Sequence, residues 1–159
     1  MSKLEYLVLE PLRNRPWLRD CQALIRQRLH EIPLQRLLNT LRMHRRRLLV
    51  VAHEEGKLVG FKLGYADKPR RFYSWLGAVD QAWEGRGIGR RLMEIQHQEL
   101  RERGYHSVRT HTRNEFRRML LLNILSGFDV IGVRARRSGS PHILLEKRFL
   151  TAVDPHSGP

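Results

Sequence analysis

The sequence predicts an α/β (α+β) domain in which strands and helices alternate along the chain. Three observations carry this. At 159 residues the chain suits one domain with a real core. Its apolar residues switch between period 2 and helical period in the order β-α-α-β-β-β-α-β-α-β-β. In its middle, Val79–Gly89 followed by Arg90-Arg91-Leu92-Met93 sets a strand, a turn, the alternate glycines Gly85, Gly87 and Gly89, and a basic amphipathic helix in immediate succession.

Leu4–Leu9 reads as the first strand, ended by Pro11. Trp17–His30 carries apolar residues at Trp17, Leu18, Cys21, Leu24, Ile25 and Leu29, close to helical period, and Ile32-Pro33 breaks it. Leu34–Met43 reads as a second helix. The compact run Leu48–Ala52, the turn Glu54-Glu55-Gly56-Lys57 and Leu58–Ala66 form a hairpin. The polar stretch Asp67–Arg71 connects to the strand Phe72–Val79. A helix from Gly87 to Arg103 has Ile88, Leu92, Ile95 and Leu100 on its apolar side, and Gly104 stops it. Ser107–Thr112 alternates as a strand. Phe116–Leu125 is a short helix with Met119, Leu120, Leu122 and Leu125 as core candidates, ended by Gly127. Phe128–Arg134 and Ile143–Leu150 close the chain as strands around the loop Arg137–Pro141. One domain is expected over 1–150, and 151–159, small and polar with Pro and Gly, reads as a flexible tail.

Composition excludes several classes. Hydrophobic content is 41%, as in a soluble globular protein. No apolar run approaches the ~20 residues of a membrane span, so no membrane association is expected. The N-terminus carries acids and lacks a signal-peptide pattern. The single cysteine, Cys21, cannot form an internal disulfide, which points to a reducing cytoplasm. The formal net charge is +14. It raises affinity for polyanions in general. The basic residues are dispersed, so any nucleic-acid binding is expected to be non-specific. No metal site is expected, and a homodimer is compatible with the sequence.

Glycines allow unusual backbone conformation and close approach. The helix after them presents free N–H groups and the positive end of its dipole. This is an anion site suited to phosphate, with Arg86, Arg90 and Arg91 around it. A Walker A loop would end in Gly-Lys-Ser/Thr, whereas this one ends Gly-Arg-Arg. A dinucleotide fingerprint needs G-x-G-x-x-G at the first βα turn, whereas here the spacing is G-x-G-x-G deep in the chain.

The segment instead resembles the pyrophosphate loop of the GNAT superfamily of acyl-CoA-dependent N-acetyltransferases, Gln/Arg-x-x-Gly-x-Gly/Ala after a strand ending in Val. Val79 ends the strand, Trp83 holds the usual aromatic position, and Gly87-Ile88-Gly89 is the core, with Glu84 where Gln or Arg is usual. The element order is also that of a GNAT domain. Thr112–Phe128 resembles a second family segment, with Asn114 after the fifth strand and Gly127-Phe128 opening the next.

The resemblance implies a central mixed, mostly antiparallel sheet with helices on both faces and splayed fourth and fifth strands. It implies acetyl-CoA (coenzyme A) as cofactor. Gly77, Ala78 and Val79 would offer backbone groups to pantetheine, and Gly85, Arg86, Gly87, Ile88, Gly89 and Arg90 would hold the pyrophosphate. Asn114 would reach the thiol end, although its position also suits a helix N-cap. At the place of a Glu used as base by some members stands Tyr73. At the place of a Tyr used as general acid stands Asn123, and at a fifth-strand Glu position stands Arg109. Tyr73 and Asn123 are therefore the candidate catalytic residues; His111 and His97 titrate in a useful range, but histidines on a surface or helix face are mostly bystanders. Leu24–Arg47 would form part of the acceptor wall, where charge disfavours a polycation.

The function that follows is transfer of acetyl from acetyl-CoA to a primary amine of a small molecule or peptide by direct attack. A non-catalytic acyl-CoA sensor and, ranked lower, a nucleic-acid or ribosome-binding module are the alternatives.

Overall fold

The computed structural model describes residues 3–150. The stretch read as a tail, 151–159, lies outside the described residues. The elements come in the predicted order: β1 (Leu4–Leu9), α1 (Arg15–Arg28), α2 (Leu34–Met43), β2 (Arg47–Glu54), β3 (Lys57–Lys68), β4 (Arg71–Val79), α3 (Ile88–Glu102), β5 (Ser107–Thr112), α4 (Arg117–Leu125), β6 (Asp129–Arg134) and β7 (His142–Arg148). Short 3-10 turns at Pro11–Arg13 and Gln81–Trp83 were not expected. The stretch Asp67–Arg71, expected to be a connection, is largely strand, because β3 and β4 pair out to Lys68 and Arg71.

The β2–β3 hairpin turns on Glu55 and Gly56, whose φ values of 50° and 80° are both positive. Two positive φ values in a two-residue loop match the right-handed twist of the flanking strands. Gly104, at φ 83°, releases α3 into β5.

The strands form one sheet in the order β1-β2-β3-β4-β5-β7-β6. Every neighbouring pair is antiparallel except β4–β5, which is parallel. Alternation along the strands builds a core on each face. Ile88, Leu92, Met93 and Leu100 of α3 pack on Val50, Phe72, Val108 and Leu145. Leu18, Cys21 and Ile25 of α1 and Leu37 and Leu41 of α2 pack on Leu49, Val51, Phe61 and Leu63 of the other face. Burial pushes the Cys21 thiol pKa up, which makes it core rather than nucleophile.

One core prediction is corrected on α4. Leu125 is 84% exposed, and Leu121 and Ile124 share its outward stripe, whereas Asn123 is only 2% exposed. The run Met119–Leu125 is apolar on nearly every side, so periodicity could not tell which face turns inward.

The feature that shapes the rest lies in β4. Leu63 pairs with Leu76 and Gly64 with Ser74, which leaves Trp75 as an extra residue in β4. Such a bulge bends its strand and increases the local twist. Pairing of β4 with β5 runs only from Arg71↔Ser107 to Ser74↔Thr110 and stops at the bulge. Thr110 Oγ1 donates to the Ser74 carbonyl at 3.0 Å and clasps the last pair. Beyond it β4 continues beside β3 alone, while His111 and Thr112 of β5 continue beside β7. The fourth and fifth strands are splayed, as predicted.

Gly64 makes the bulge possible. A Cβ at this position would lie 2.2 Å from the Tyr73 carbonyl oxygen and 2.5 Å from the Phe72 ring. Backbone cannot yield as a flexible side chain can, so Gly64→Ala should destabilise the protein by about 3 kcal/mol. That is a fall of roughly 6–12 °C in melting temperature for a chain of this size, to be checked by calorimetry. A melting temperature within a degree of wild type would mean that the bulge tolerates a side chain.

Candidate active site

The loop between β4 and α3 adopts its shape through backbone conformation. Gly85 and Gly87 have φ values of 76° and 75°, in the left-handed region. A Cβ on either would meet no atom of the chain within 4 Å, so the glycines are required by φ and leave open space above the loop. Gly87 is the N-cap of α3 and supplies no side-chain cap, and the first turn holds no acid. The first intrahelical bond there is Arg91 N–H to the Gly87 carbonyl, at 3.0 Å. The N–H groups of Ile88, Gly89 and Arg90 therefore point out of the helix without an acceptor. Positive dipole, free donors and open space fit a pyrophosphate.

Glu84 is built into the site. Its carboxylate is paired with Arg28 at the end of α1 and with Arg118 in the first turn of α4, the latter at 3.4 Å. Arg86 lies over the Trp83 ring, 4.6 Å from the centroid. A Cβ at Gly89 would sit 3.5 Å from Leu122 Cδ2 and 3.7 Å from Val79 Cγ2. These contacts bring the loop, the end of β4 and α4 together at the open end of the fork. Gly77, Ala78 and Val79 lie on the length of β4 that has lost its β5 partner. Backbone groups on that edge are free to pair with an extended, amide-bearing arm.

Residues 45–120 match the model of the GNAT acetyltransferase domain. Over that segment the chain resembles the GNAT superfamily of acetyltransferases. No curated protein matches it. Among solved structures it resembles the ribosomal-protein-S18-alanine N-acetyltransferase of Escherichia coli at 20% identity, over 96% of this chain and 98% of the other, with a TM-score of 0.78. It also resembles a chain of the NatC complex bound to Gag peptide and CoA, at 19% identity over 93% and 99% of the two chains, with a TM-score of 0.79. A third likeness is to yncA of Salmonella typhimurium, solved with its cofactor acetyl-CoA, at 14% identity over 99% and 100%, with a TM-score of 0.73. At these identities the likeness is one of fold.

The two candidate catalytic residues lie on opposite faces of the sheet. Phe72 and Val108 belong to the α3-side core, so alternation turns Tyr73, Arg109 and His111 toward the α1–α2 side. Asn123 lies on α4, which packs Leu120 and Leu122 against the α3-side core. Asn114 is exposed in the turn after β5. It does not cap α4, whose N-cap position is held by Phe116 with no side-chain cap bond. Arg109 is paired with Glu146 of β7 at 2.6 Å. Burial pushes the Glu146 carboxyl up, but hydrogen bonds from Arg109 and Arg148 outweigh it and hold the pKa low. That carboxylate is locked rather than available as a base. His97 is buried beside Phe128 and Phe149, and burial with the charge of Lys147 pushes its pKa down to about 2. It stays neutral and takes no part in proton transfer near pH 7.

Two features escaped the sequence reading. The first is that Tyr73 and His111 touch, with Oη and Nδ1 2.5 Å apart. The second is Lys62. It sits on β3 between Phe61 and Leu63, is 7% exposed, and turns to the α3 side. Its amine lies 3.8 Å from where a Cβ of Gly77 would be, across the free half of β4. Burial lowers its pKa to about 8. The signal was a charged residue at the centre of an otherwise apolar strand.

The Lys62 shift has a definite sign. The unfolded chain binds this proton up to pH ~10.4, the folded chain only up to about 8. Stability should therefore rise as pH is raised from 7 through 9 and on toward 10. Lys62→Met should remove that rise and stabilise the chain at pH 7 by up to roughly 3 kcal/mol. Urea midpoints of both proteins across this pH range measure it. Equal pH slopes in the two would show that the amine is solvated.

Proposed function

We propose that this GNAT acetyltransferase moves the acetyl group of acetyl-CoA to a primary amine of a small molecule or peptide by direct attack. The observation that carries the reading is the junction of a free β4 edge with an uncapped α3 N-terminus behind two left-handed glycines. A pantetheine arm and a pyrophosphate need those two surfaces in that order. Gly77, Ala78 and Val79 serve the arm; Gly85, Arg86, Gly87, Ile88, Gly89 and Arg90 serve the phosphates; Asn114 stands at the mouth.

Bound there, acetyl-CoA supplies an activated acetyl thioester and a thiolate leaving group. A backbone N–H among Leu76–Ala78 polarises the carbonyl, because a fixed donor needs no reorganisation as charge develops. Tyr73, on the α1–α2 face, meets the incoming amine. Burial raises its pKa to about 12, so it works as a phenol and not as a phenolate. Asn123, on the α4 side, hydrogen-bonds the departing sulfur. The acceptor wall formed by α1 and α2 carries Arg19, Arg26, Arg28, Arg36 and Arg42. Like charge disfavours a polycationic acceptor there and admits a small amine or an acidic peptide. The replaced family positions, Tyr73 and Asn123, also favour a second reading, a non-catalytic acyl-CoA sensor. Binding without turnover of any amine would single that out.

Acetyl-CoA at a hundredfold excess over its dissociation constant should stabilise the fold by about 2.7 kcal/mol, which is roughly 5–11 °C in melting temperature. Gly87→Glu places a side chain at φ 75° and a negative charge where the phosphates belong. A folded Gly87→Glu protein should show no shift, and a wild-type shift in that variant would dismiss the loop as the phosphate site.

Asn123→Ala and Tyr73→Phe should each lower kcat with little change in the acetyl-CoA shift, as expected when an interaction made only in the transition state is lost. Thiol release across an amine panel measures this. Full rates in both variants would move the chemistry away from these residues.

A further inference from the structure

The crotch of the fork carries a pair of ionisable side chains that the sequence did not bring together. Tyr73 is one residue before the last paired position of β4, and His111 is one residue after the last paired position of β5. Tyr73 Oη and His111 Nδ1 are 2.5 Å apart, and the rings meet edge-on with centroids separated by 5.2 Å. A row of rings continues on either side. His44 stacks on Tyr65 at 3.7 Å, and Tyr65 meets Tyr73 at 5.6 Å. On the far side His111 meets His142 at 6.0 Å, and His142 is partly exposed. The row thus runs from the end of α2, across the crotch, to the open face of β7.

We propose that Tyr73 and His111 form a proton relay that deprotonates the acceptor amine. The relay rests on the acetyltransferase reading and deepens it. The incoming ammonium gives a proton to the Tyr73 oxygen as the phenol proton passes to His111 Nδ1. The products are a neutral amine, an intact phenol and an imidazolium. The amine then attacks: a C–N bond forms, the C–S bond breaks, and the second amine proton leaves with the thiolate. The imidazolium returns its proton to water on the side of His142, and the pair is reset.

The surroundings suit each role. Groups facing the pair are Tyr65 and Asp67 from β3, Arg109 from β5, Arg134 from β6 and His142 from β7. Burial, then His142, Arg134 and Arg109, lower the His111 pKa against the single carboxylate of Asp67. His111 is therefore neutral at pH 7 and able to take a proton, and the same cations hasten its release. Burial keeps Tyr73 protonated, so the phenol donates and Nδ1 accepts. Geometry decides between the two residues: only Tyr73 lies on β4, the strand whose free edge adjoins the acyl site, so His111 acts through it.

Two measurements test the relay. The first is nitrogen-edited NMR of the histidines in the whole protein. At pH 7 His111 should be the tautomer with Nδ1 bare and Nε2 protonated. Tyr73→Phe should raise its titration midpoint toward the ordinary value. An Nδ1–H tautomer, or a midpoint unmoved by Tyr73→Phe, overturns the proposal. The second is kinetic and uses the panel amine that the wild type turns over fastest. His111→Gln should lower kcat on the order of a hundredfold, abolish the acid limb of the pH profile below 6.5, and leave the acetyl-CoA melting shift intact. Added imidazole should restore part of the rate in His111→Gly. Tyr73→Phe should cost about as much, and the double variant little more, because residues acting as one unit are not additive. Multiplied losses, or undiminished turnover in His111→Gln, would sink the relay and leave the acetyltransferase reading standing. Absence of turnover by the wild type with every amine would sink both.

Discussion

Everything at the site depends on one extra residue in β4. Trp75 has no partner opposite it on β3, and the strand turns at that point. A parallel pair held for four residues ends there, and each strand goes on with its other neighbour. The bulge is tolerated because Gly64 puts no side chain into a space already filled by the Tyr73 carbonyl and the Phe72 ring. A strand cannot leave a sheet without exposing backbone donors and acceptors, and exposed groups cost free energy unless something pairs with them. The free half of β4 is therefore both a structural debt and a binding surface. The same bend sets Tyr73 at the crotch, in reach of His111. One local irregularity thus generates both the unpaired edge of β4 and the contact of Tyr73 with His111.

Electrostatics divides the labour between the faces. Against a formal charge of +14, the few acids are used with economy. Glu84 joins Arg28 of α1 to Arg118 of α4 across the phosphate loop. Glu146 restrains Arg109 and Arg148 near Tyr73 and His111. The exposed pairs contribute little to stability, since surface ion pairs are worth ~0–1 kcal/mol. Their effect is positional. Glu84 joins α1 and α4 across the loop, at the position where the GNAT loop it resembles more often has Gln or Arg. It also offers its two arginines a carboxylate in place of any other anion.

Much of this was legible in the sequence, for reasons specific to particular residues. The glycine loop was visible because Gly85 and Gly87 are demanded by a positive φ, which few other residues accept. The hairpin at Glu55-Gly56 was visible for the same reason. The buried faces of α1 and α3 followed from helical period, and β2 was marked by the compact apolar run Leu48–Ala52. What could not be read depended on register. Phe72–Val79 gives no period-2 signal at Trp75, so the bulge was hidden, and with it the contact of Tyr73 with His111 across two strands. On α4 the run of apolar residues gave no face, so Leu125 was placed inside and the burial of Asn123 was missed. His97 reads like a surface helix residue until Phe128 and Phe149, distant in sequence, close over it.

The buried cation at Lys62 shows how far the site departs from what stability alone would choose. An amine held at 7% exposure costs free energy that a methionine would not. Two polar atoms on the same side of the sheet, Gln96 Oε1 and His97 Nε2, are buried without a partner. Gln96 meanwhile reaches Ser74 Oγ at 3.2 Å, on the last residue before the bulge. Lys62 lies behind Gly77 on the free length of β4, Gln96 behind Ser74 at the bulge, and His97 beside Phe128 and Phe149. Proteins keep such costs mainly where polar groups meet something beyond the fold. Gly77 is the link: without a side chain there, the Lys62 amine reaches over the strand toward the slot. That positive charge lies on the side of β4 opposite to the one that carries Tyr73 and His111. The bulge at Trp75 is what leaves the strand between them open along one edge.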